Sequence, residues 1–367
     1  MNDCFLENGA LTMNLDNPDN FKQIDTQNFL AEIDDLPNQL QSAWELGKEL
    51  QLPNEKNISQ IVIAGMGGSA IGADLLAAYV SPICKVPVYV HRDYSLPAFA
   101  RSPQTLFIAS SHSGNTEETL SSFDQAIETG CSTLVITTGG KLVEKAVQKR
   151  IPVWQFRHAG PPRAAVGYSF GLLLAILNRL NLCPDPSMEI AEAVEIMKKQ
   201  REQLYAQSPV SQNLAKRLAG QLVGRWVNII GSDYLSPVAR RWKTQINELA
   251  KAVAHFDPIP EADHNMLVGI INPDTIQSHT MTIFLRASSD YLRNRFRSEI
   301  TQELLLREGL NTDTVYARGN SPISNMWSTL QIGDYVSFYL AIAYKTDPTP
   351  ILLVEQLKIE LKKKGTS

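Results

Sequence analysis

The sequence predicts an α/β protein with two similar subdomains, each a mainly parallel β-sheet flanked by helices in three αβα layers, followed by a C-terminal helix. Three observations favour this class. Short apolar runs alternate with helical stretches from residue 61 onwards, which is typical of right-handed βαβ units. The alternation stops at a Pro-rich stretch, residues 181–186, and then resumes. The first apolar run also ends in a glycine turn that opens a helix.

The first half of the chain contains five strand candidates. Apolar, largely β-branched runs predict strands at 61–64, 86–90, 105–109, 132–137 and 152–156. Helices are predicted at about 69–80, 116–130, 141–149 and 164–180. Upstream, residues 27–49 are expected to be helical with an interruption at Pro37. Residues 1–20 are expected to be poorly ordered.

The second half repeats this architecture after a long charged helical region at about 187–220. Strands are predicted near 226–231, 267–271, 280–286 and 313–317, and helices near 236–251, 290–308, 322–344 and 351–364. We therefore expect a first subdomain over residues 1–185, a second over 186–348, and a C-terminal helix over 349–367. The recurrence indicates an internal structural duplication, although no clear sequence repeat accompanies it.

A glycine turn follows the first predicted strand. Gly67 and Gly68 let the backbone approach a ligand closely, and Ser69 stands at the start of the next helix. Free N–H groups and the positive end of the helix dipole make such a turn an anion site. A purely structural turn and a dinucleotide fingerprint, G-x-G-x-x-G/A, remain alternatives for this stretch alone.

A second loop follows the strand predicted at 105–109, and it carries more hydroxyl groups than a helix cap needs. Ser111, Ser113 and Thr116 crowd the start of the next helix, with Ser110 just before them and His112 among them, and these two are expected to point into the protein. Hydroxyls and helix-start N–H groups can hydrogen-bond a phosphate. Because ligands sit beyond the carboxyl ends of parallel strands, the two loops can converge on one pocket.

The motifs GMGGSAIG (residues 65–72) and SSHSGNTEETL (residues 110–120) resemble the sugar isomerase (SIS) domain, whose members bind phosphorylated sugars. Within that superfamily the chain is most similar to the bifunctional phosphoglucose/phosphomannose isomerases. The further matches are Pro162-Arg163-Ala164-Ala165, Asn247-Glu248-Leu249-Ala250-Lys251, Asp263-His264-Asn265 and Leu357-Lys358. The resemblance implies two SIS-type, flavodoxin-like subdomains and an aldose–ketose isomerase that acts through a cis-enediolate.

The resemblance also implies roles for individual residues. It places the substrate phosphate on Ser69, Ser111, Ser113 and Thr116, with the backbone of Gly67 and Gly68 lining the first loop. Glu248 is the expected base, since a carboxylate within reach of C1 and C2 can move a proton between them. Without the resemblance, a helical Glu would be interpreted as a surface residue.

Three more side chains complete the expected catalytic set. Arg163 follows two prolines at a helix start and could stabilise the enediolate charge. His264 and Lys358 are the candidates for ring opening. The resemblance implies that His264 reaches into the neighbouring subunit's site, and therefore a homodimer. Lys358 could instead be part of a basic helix end that complements the helix dipole.

Net charge and cysteine content indicate which binding partners and which cellular compartment to expect. A net charge of −4 and a pI near 5.9 give no reason to expect nucleic acid or an anionic membrane surface. The four cysteines are scattered, without a C-x-x-C pair, and are expected to be free thiols. The sequence shows no signal peptide and no run long enough to span a bilayer, so we expect a cytoplasmic protein.

Other functions remain open at this stage. An NAD(P)-dependent dehydrogenase would use the glycine loop and an acid after the second strand, for which Asp93 comes late. A non-catalytic sugar-phosphate sensor or an isomerase of another sugar phosphate would share the fold. His91, His158, His255 and His279 are isolated, and no grouping has zinc spacing, so we expect neither metal nor cofactor.

Overall fold

The computed structural model describes residues 14–53 and 57–365. The predicted poor order of the N-terminus therefore lies largely outside the described residues. Residues 14–20 form turns and a short 3-10 helix, Pro18–Asn20. The predicted interruption near Pro37 is confirmed, because one helix ends at Asp34 and the next begins at Leu36, with Pro37 in its first turn where a missing N–H costs nothing.

The first half contains α1 (Phe21–Ile24), α2 (Phe29–Asp34), α3 (Leu36–Glu49), β1 (Gln60–Ala64), α4 (Gly67–Val80), β2 (Val88–His91), β3 (Thr105–Ser110), α5 (Glu117–Glu128), β4 (Ser132–Thr137), α6 (Lys141–Gln148), β5 (Val153–Gln155) and α7 (Val166–Arg179). These bounds confirm the strands and helices that the hydrophobic pattern predicts for this part, to within a few residues.

The second half contains α8 (Ser187–Leu204), α9 (Leu214–Leu222), β6 (Trp226–Ser232), α10 (Ser236–Leu249), β7 (Ala254–Ile259), α11 (Asp274–Gln277), β8 (Thr280–Arg286), α12 (Leu292–Arg307), β9 (Asn311–Tyr316), α13 (Pro322–Ala343) and α14 (Leu352–Lys364). The prediction of one continuous helical region over residues 187–220 is wrong in one respect. It is divided into α8 and α9 at residues 205–213, which include Pro209.

The strands form two separate sheets, and every strand pair within them is parallel. The five-stranded sheet has the order β2-β1-β3-β4-β5, and the four-stranded sheet has the order β7-β6-β8-β9. The predicted α/β class is thus confirmed. In both sheets the chain reverses its direction of strand addition beside the first strand, which is where the loops after neighbouring strands can enclose a ligand.

One strand prediction is wrong. Residues 267–271 are apolar but form a 3-10 helix, Met266–Val268, and turns, while the strand is β7, Ala254–Ile259. The run 254–259 contains His, Asp and Pro, which weakened its strand signal. Such residues are tolerated because β7 is an edge strand of its sheet, where one side of the backbone needs no ladder partner.

Strand side chains alternate between two apolar layers. Ile61 and Ile63 of β1 join the largest apolar cluster, which also takes in Val227 and Ile229 of β6. The neighbouring Val62 faces a smaller cluster under α5 and α6. The period of two residues therefore gives each sheet one face in a core shared by both halves and one face under its own outer helices. The domain division near residues 181–190 stays a prediction.

Helix α13 is the central element of the shared core. Phe170 of α7 meets Trp327 of α13 with ring centroids 5.3 Å apart. On another side, Arg241 of α10 and Asp334 of α13 form a buried bidentate ion pair, with N–O distances of 3.0 and 2.8 Å. Their side chains are only 2% and 4% exposed. This pair fixes the rotation of α10, which also carries Glu248.

None of the described helices combines the length and apolarity needed to cross a membrane. The expectation of free thiols is confirmed for Cys84, Cys131 and Cys183. Cys4 lies outside the described residues.

We expect Asp334→Ala to lower the free energy of unfolding by about 3–5 kcal/mol, because the Arg241 guanidinium would stay buried without its counter-ion. Urea unfolding followed by tryptophan fluorescence measures this change. Glu45→Ala is the matched control, since its ion pair with Lys48 is exposed on α3. Equal urea midpoints for the two variants would contradict the importance of the buried pair.

Candidate active site

The glycine loop between β1 and α4 lies against the chain that precedes α7. Gly67 adopts a left-handed φ of 50°, and α4 begins at this residue. A Cβ atom on Gly68 would stand 2.5 Å from the carbonyl oxygen of Pro162 and 3.0 Å from the Cα atom of Arg163. Glycine at position 68 therefore lets the N-terminus of α4 approach the Arg163 turn directly.

The hydroxyl loop between β3 and α5 meets the glycine loop at Ser69. The backbone N–H of His112 donates a 3.2 Å hydrogen bond to Ser69 Oγ, and the hydroxyls of Ser111 and Thr116 lie 2.9 Å apart. Ser69 and Ser111 are buried, while Ser113 is exposed. The structure thus brings the two loops together at the carboxyl edge of the first sheet and surrounds the start of α5 with hydroxyls.

The hydroxyl loop has its own packing constraint. Gly114 adopts a φ of 64°, and a Cβ atom there would lie 1.8 Å from the carbonyl oxygen of Gly139. The loop is therefore pressed against the turn that follows β4 and is held in one shape. Behind it, Ser110 and His112 line a small enclosed cavity, as expected for side chains that point into the protein, and Ser69 of the glycine loop lines the same cavity.

Arg163 and Glu248 come together from different halves of the chain. Arg163 lies in a 3-10 turn, Pro162–Ala164, just before α7, and Glu248 lies near the end of α10. Arg163 Nη1 lies 3.7 Å from Glu248 Oε2. The Arg163 side chain is buried, whereas that of Glu248 is 34% exposed. A half-exposed carboxylate beside a buried guanidinium can accept a proton from a bound ligand.

The Arg163 guanidinium is held by the backbone and by an aromatic ring. Its Nη2 donates hydrogen bonds to the carbonyl oxygens of Pro348, at 2.9 Å, and Thr349, at 2.5 Å. Its Cζ atom lies 5.2 Å from the centroid of the Phe29 ring. Burial lowers the pKa of Arg163, and the nearby Glu248 opposes that effect. Its buried Nε has no hydrogen-bond partner among the described residues.

His264 and Lys358 are not joined to this group within one chain. His264 is exposed at the end of the 3-10 helix Glu261–His264, and Lys358 is exposed on α14. Among the hydrogen bonds and ion pairs of residues 14–53 and 57–365, none links either side chain to Glu248. The neighbouring Asp263 fixes the His264 turn to α12 through Arg297, at 3.0 Å, and Thr301, at 2.8 Å.

A chain of three titratable side chains behind the hydroxyl loop was missed by sequence reasoning. His112 Nε2 lies 2.9 Å from His158 Nδ1, and His158 Nε2 lies 2.9 Å from Glu32 Oε2. The interpretation of His158 as isolated is therefore wrong, because Glu32 is 126 residues away in sequence and adjacent in space. The position of His158 after the strand predicted at 152–156, at the same sheet edge, was the available signal.

The electrostatics of this chain keep His112 neutral. Burial, and then the neighbouring His158, lower the pKa of His112 to about 4. A neutral imidazole has one donor and one acceptor nitrogen, so it can serve in the chain without adding a charge beside the loop. Among the described residues, no group of three or more His, Cys, Asp and Glu side chains is placed to hold a metal ion, and the absence of a metal stays a prediction.

Two αβα units with hydroxyl-rich loops at the strand ends define the class of sugar isomerase (SIS) proteins. The family model described as "Bacterial phospho-glucose isomerase C-terminal SIS domain" matches residues 211–361. The glucose-6-phosphate isomerase like protein of Thermus thermophilus shares this fold with a TM-score of 0.64 and 18% identity, over 94% of this chain and 98% of that one.

The curated relatives place the chain more closely. It is 41% identical to the bifunctional phosphoglucose/phosphomannose isomerase of Caldicellulosiruptor bescii, over 91% of this chain and 98% of the relative. It is 32% identical to the enzyme of the same name from Aquifex aeolicus, over 83% of this chain and 90% of the relative. The chain therefore belongs to the bifunctional phosphoglucose/phosphomannose isomerase family, and the resemblance found in its motifs is confirmed.

We expect His112→Phe to flatten the decline in stability on acidification between about pH 6.5 and 4. An unfolded histidine takes up its proton near pH 6.5, whereas His112 in the folded chain does so only at about 4. The unfolded state therefore binds more protons in this window, and the wild type loses stability as the pH falls.

Urea unfolding at several pH values measures this slope, and His279→Gln, with an exposed ring, is the control. Imidazole NMR signals that show His112 protonated at pH 6 would contradict the interpretation.

Proposed function

We propose that the protein interconverts glucose 6-phosphate and mannose 6-phosphate with fructose 6-phosphate by moving a proton between C1 and C2. The two aldoses differ only in the configuration at C2, which becomes planar in the enediolate. One site can therefore serve both. Isomerisation of another sugar phosphate is the alternative, and an SIS protein that only binds its ligand is a second. The pairing of Glu248 with Arg163 beside the hydroxyl loops supports catalysis over binding alone.

The phosphate group of the substrate binds where the glycine and hydroxyl loops meet. Ser69, Ser111, Ser113 and Thr116 supply hydroxyl donors, and the starts of α4 and α5 supply free backbone N–H groups. None of these donors carries a formal charge, so the dipoles of the two helix starts provide the attraction for the dianion. The phosphate then anchors the sugar chain so that its other end extends toward Arg163 and Glu248.

Glu248 acts as the base, and Arg163 stabilises the enediolate. The carboxylate removes the proton from C2 of the ring-opened aldose and returns it to C1, and the hydroxyl proton on the C2 oxygen passes to the C1 oxygen. The negative charge that develops on these two oxygens faces the guanidinium. Because Arg163 is buried, its charge is screened less by water than that of a surface residue. The reaction moves a proton within one molecule and needs no electron acceptor, so no cofactor is part of the proposal.

Ring opening and assembly complete the proposal. His264 from a second copy of the chain transfers a proton to the ring oxygen, and Lys358 assists this ring opening. Two apolar surfaces support a dimer. The exposed face of α12 carries Leu292, Phe296, Ile300 and Leu304 at four-residue spacing. The same helix holds the His264 turn through Asp263.

The second surface is α14, on which none of the residues is buried. Its exposed apolar side chains include Leu353, at 82%, and Leu357, at 57%. Extended apolar surfaces of this kind usually mark interfaces. A partner subunit that covers α12 also comes close to the His264 turn, which α12 holds. His264 of one chain can then reach the Glu248 site of the other chain, which gives a physical reason for a shared site. A cytoplasmic location belongs to the same proposal.

Glu248→Gln should preserve substrate binding and lower kcat by at least about 10²–10⁴-fold, because it keeps the shape of the side chain and removes the base. The glucose and mannose reactions should fall together, since they share the enediolate. Steady-state kinetics with both aldoses measure the effect. Glu195→Gln on the exposed face of α8 is the matched control. Exchange of the C2 proton with solvent at the normal rate in Glu248→Gln would refute the assignment.

Mixing two inactive variants tests the shared site. Glu248→Gln and His264→Ala homodimers should each be inactive on the cyclic substrate. Random re-association of the two makes half of the dimers mixed, and each mixed dimer has one intact site. About a quarter of the wild-type activity should therefore return.

If both residues serve the site of their own chain, mixing restores nothing. Separately, His264→Ala should keep more of its activity on a substrate that is already ring-opened, because only ring opening requires the imidazole.

A further inference from the structure

Lys251 stands directly behind the proposed base in an uncommon backbone conformation. It lies two residues after the end of α10, with a left-handed φ of 53°. Glycine is the usual residue in this conformation after a helix, since a Cβ atom is strained there. Lys345 has the same backbone conformation after α13, so the case for Lys251 rests on the contacts of its side chain.

The ammonium group of Lys251 has three donors, and all three are used. Its Nζ donates to the carbonyl oxygens of Glu248 at 2.9 Å, Leu249 at 3.2 Å and Asp347 at 2.7 Å. The first two carbonyls belong to the last turn of α10 and have no partner within the helix. The third belongs to the segment between α13 and α14. Lys251 therefore joins the end of α10 that carries Glu248 to that segment.

Arg163 holds the same segment from the other side. Its guanidinium donates to the carbonyl oxygens of Pro348 and Thr349, as described above. We refer to residues 347–349 as the strap. The carboxylate of Asp347 also accepts hydrogen bonds from the Thr26 hydroxyl, at 2.6 Å, and from the backbone N–H of Thr349, at 2.9 Å. Two cations thus hold one short stretch of backbone, and Glu248 lies between them.

We propose that Lys251 is a positioning residue for the isomerisation, which holds Glu248 and Arg163 in register by tying the end of α10 to the strap. This inference rests on the proposed function, since it assigns Glu248 as base and Arg163 as its electrostatic partner. Lys251 itself does not contact the substrate. Its contribution depends on the ammonium form, because a neutral amine has only two donors and cannot satisfy three carbonyl oxygens.

The charge of Lys251 changes within an accessible pH range. Burial, and secondly Arg163, lower the pKa of Lys251 to about 8, against the opposing effects of Asp347 and Glu248. These three are the charged groups that face it, from the Arg163 turn, the strap and α10. As the pH rises through about 8 the ammonium loses its proton, at least one carbonyl bond is lost, and the strap loosens. The wild-type kcat/KM should therefore fall on the alkaline side, with an apparent pKa near 8.

Three substitutions and one control test this role. Lys251→Met retains the aliphatic stem, Lys251→Gly suits the left-handed backbone, and Lys251→Arg keeps a permanent cation. The control is Lys345→Met, because Lys345 also has a left-handed φ, 54°, immediately beyond a helix, but among the described residues its ammonium makes none of the carbonyl hydrogen bonds that Lys251 makes. Each variant is assayed for kcat and KM with fructose 6-phosphate from pH 6 to 10, and its folding is checked by thermal unfolding.

Lys251→Met and Lys251→Gly should lower kcat at pH 7 by about tenfold to a hundredfold, as a small displacement of the base does. The KM should change little, because the phosphate loops are elsewhere, and the alkaline decline near pH 8 should disappear. Lys251→Arg should recover most of kcat and move the decline to higher pH, and Lys345→Met should match the wild type.

The outcomes separate this inference from the proposed function. A folded Lys251→Gly protein with the wild-type kcat and alkaline decline overturns the positioning role. A wild-type protein without isomerase activity on any of the three hexose phosphates overturns the proposed function. An active wild type together with an inactive Glu248→Gln variant supports the proposed function. The kcat and pH profile of Lys251→Gly then support or overturn the positioning role on their own.

Discussion

The close approach of two backbones at Gly68 is the constraint on which the site depends. The N-terminus of α4 can touch the Arg163 turn only because residue 68 has no side chain. This contact sets the separation between the hydroxyl-lined edge of the first sheet and the guanidinium. The hydroxyl loop is then placed relative to both by its hydrogen bond to Ser69. The absence of a side chain at residue 68 therefore fixes how close the glycine loop and the Arg163 turn lie to each other.

Arg163 illustrates how the molecule prepares an electrostatic environment before any ligand arrives. Burial of a cation is costly, and the structure offsets that cost with two carbonyl oxygens, an aromatic face and the carboxylate of Glu248. The Nε atom stays without a protein partner among the described residues. These contacts keep the Arg163 guanidinium in place without using all of its hydrogen-bond donors. The guanidinium can therefore still stabilise an additional negative charge. Preorganised charge of this kind requires little rearrangement when a transition state forms.

Sequence reasoning predicted the parts of the structure that depend on local pattern. The strands of the first sheet, the glycine loop and the hydroxyl loop were accessible because apolar periodicity and loop chemistry lie within short windows. β7 was missed because an edge strand tolerates polar residues and Pro258. The pairs Glu32–His158 and Lys251–Asp347 were missed for another reason. They join segments far apart in the chain, one of them through a backbone carbonyl, which no sequence pattern records.

The shared core has a consequence for the order in which the chain folds during synthesis. Helix α7 leaves the ribosome well before α13, whose Trp327 covers Phe170. At ordinary elongation rates the roughly 140 intervening residues take about 7–28 s to be added. During that interval the first sheet can be covered by its own helices, α5 and α6 on one face and α3, α4 and α7 on the other, while the side of α7 that meets α13 stays uncovered. Phe170 therefore gains its aromatic neighbour only when α13 emerges.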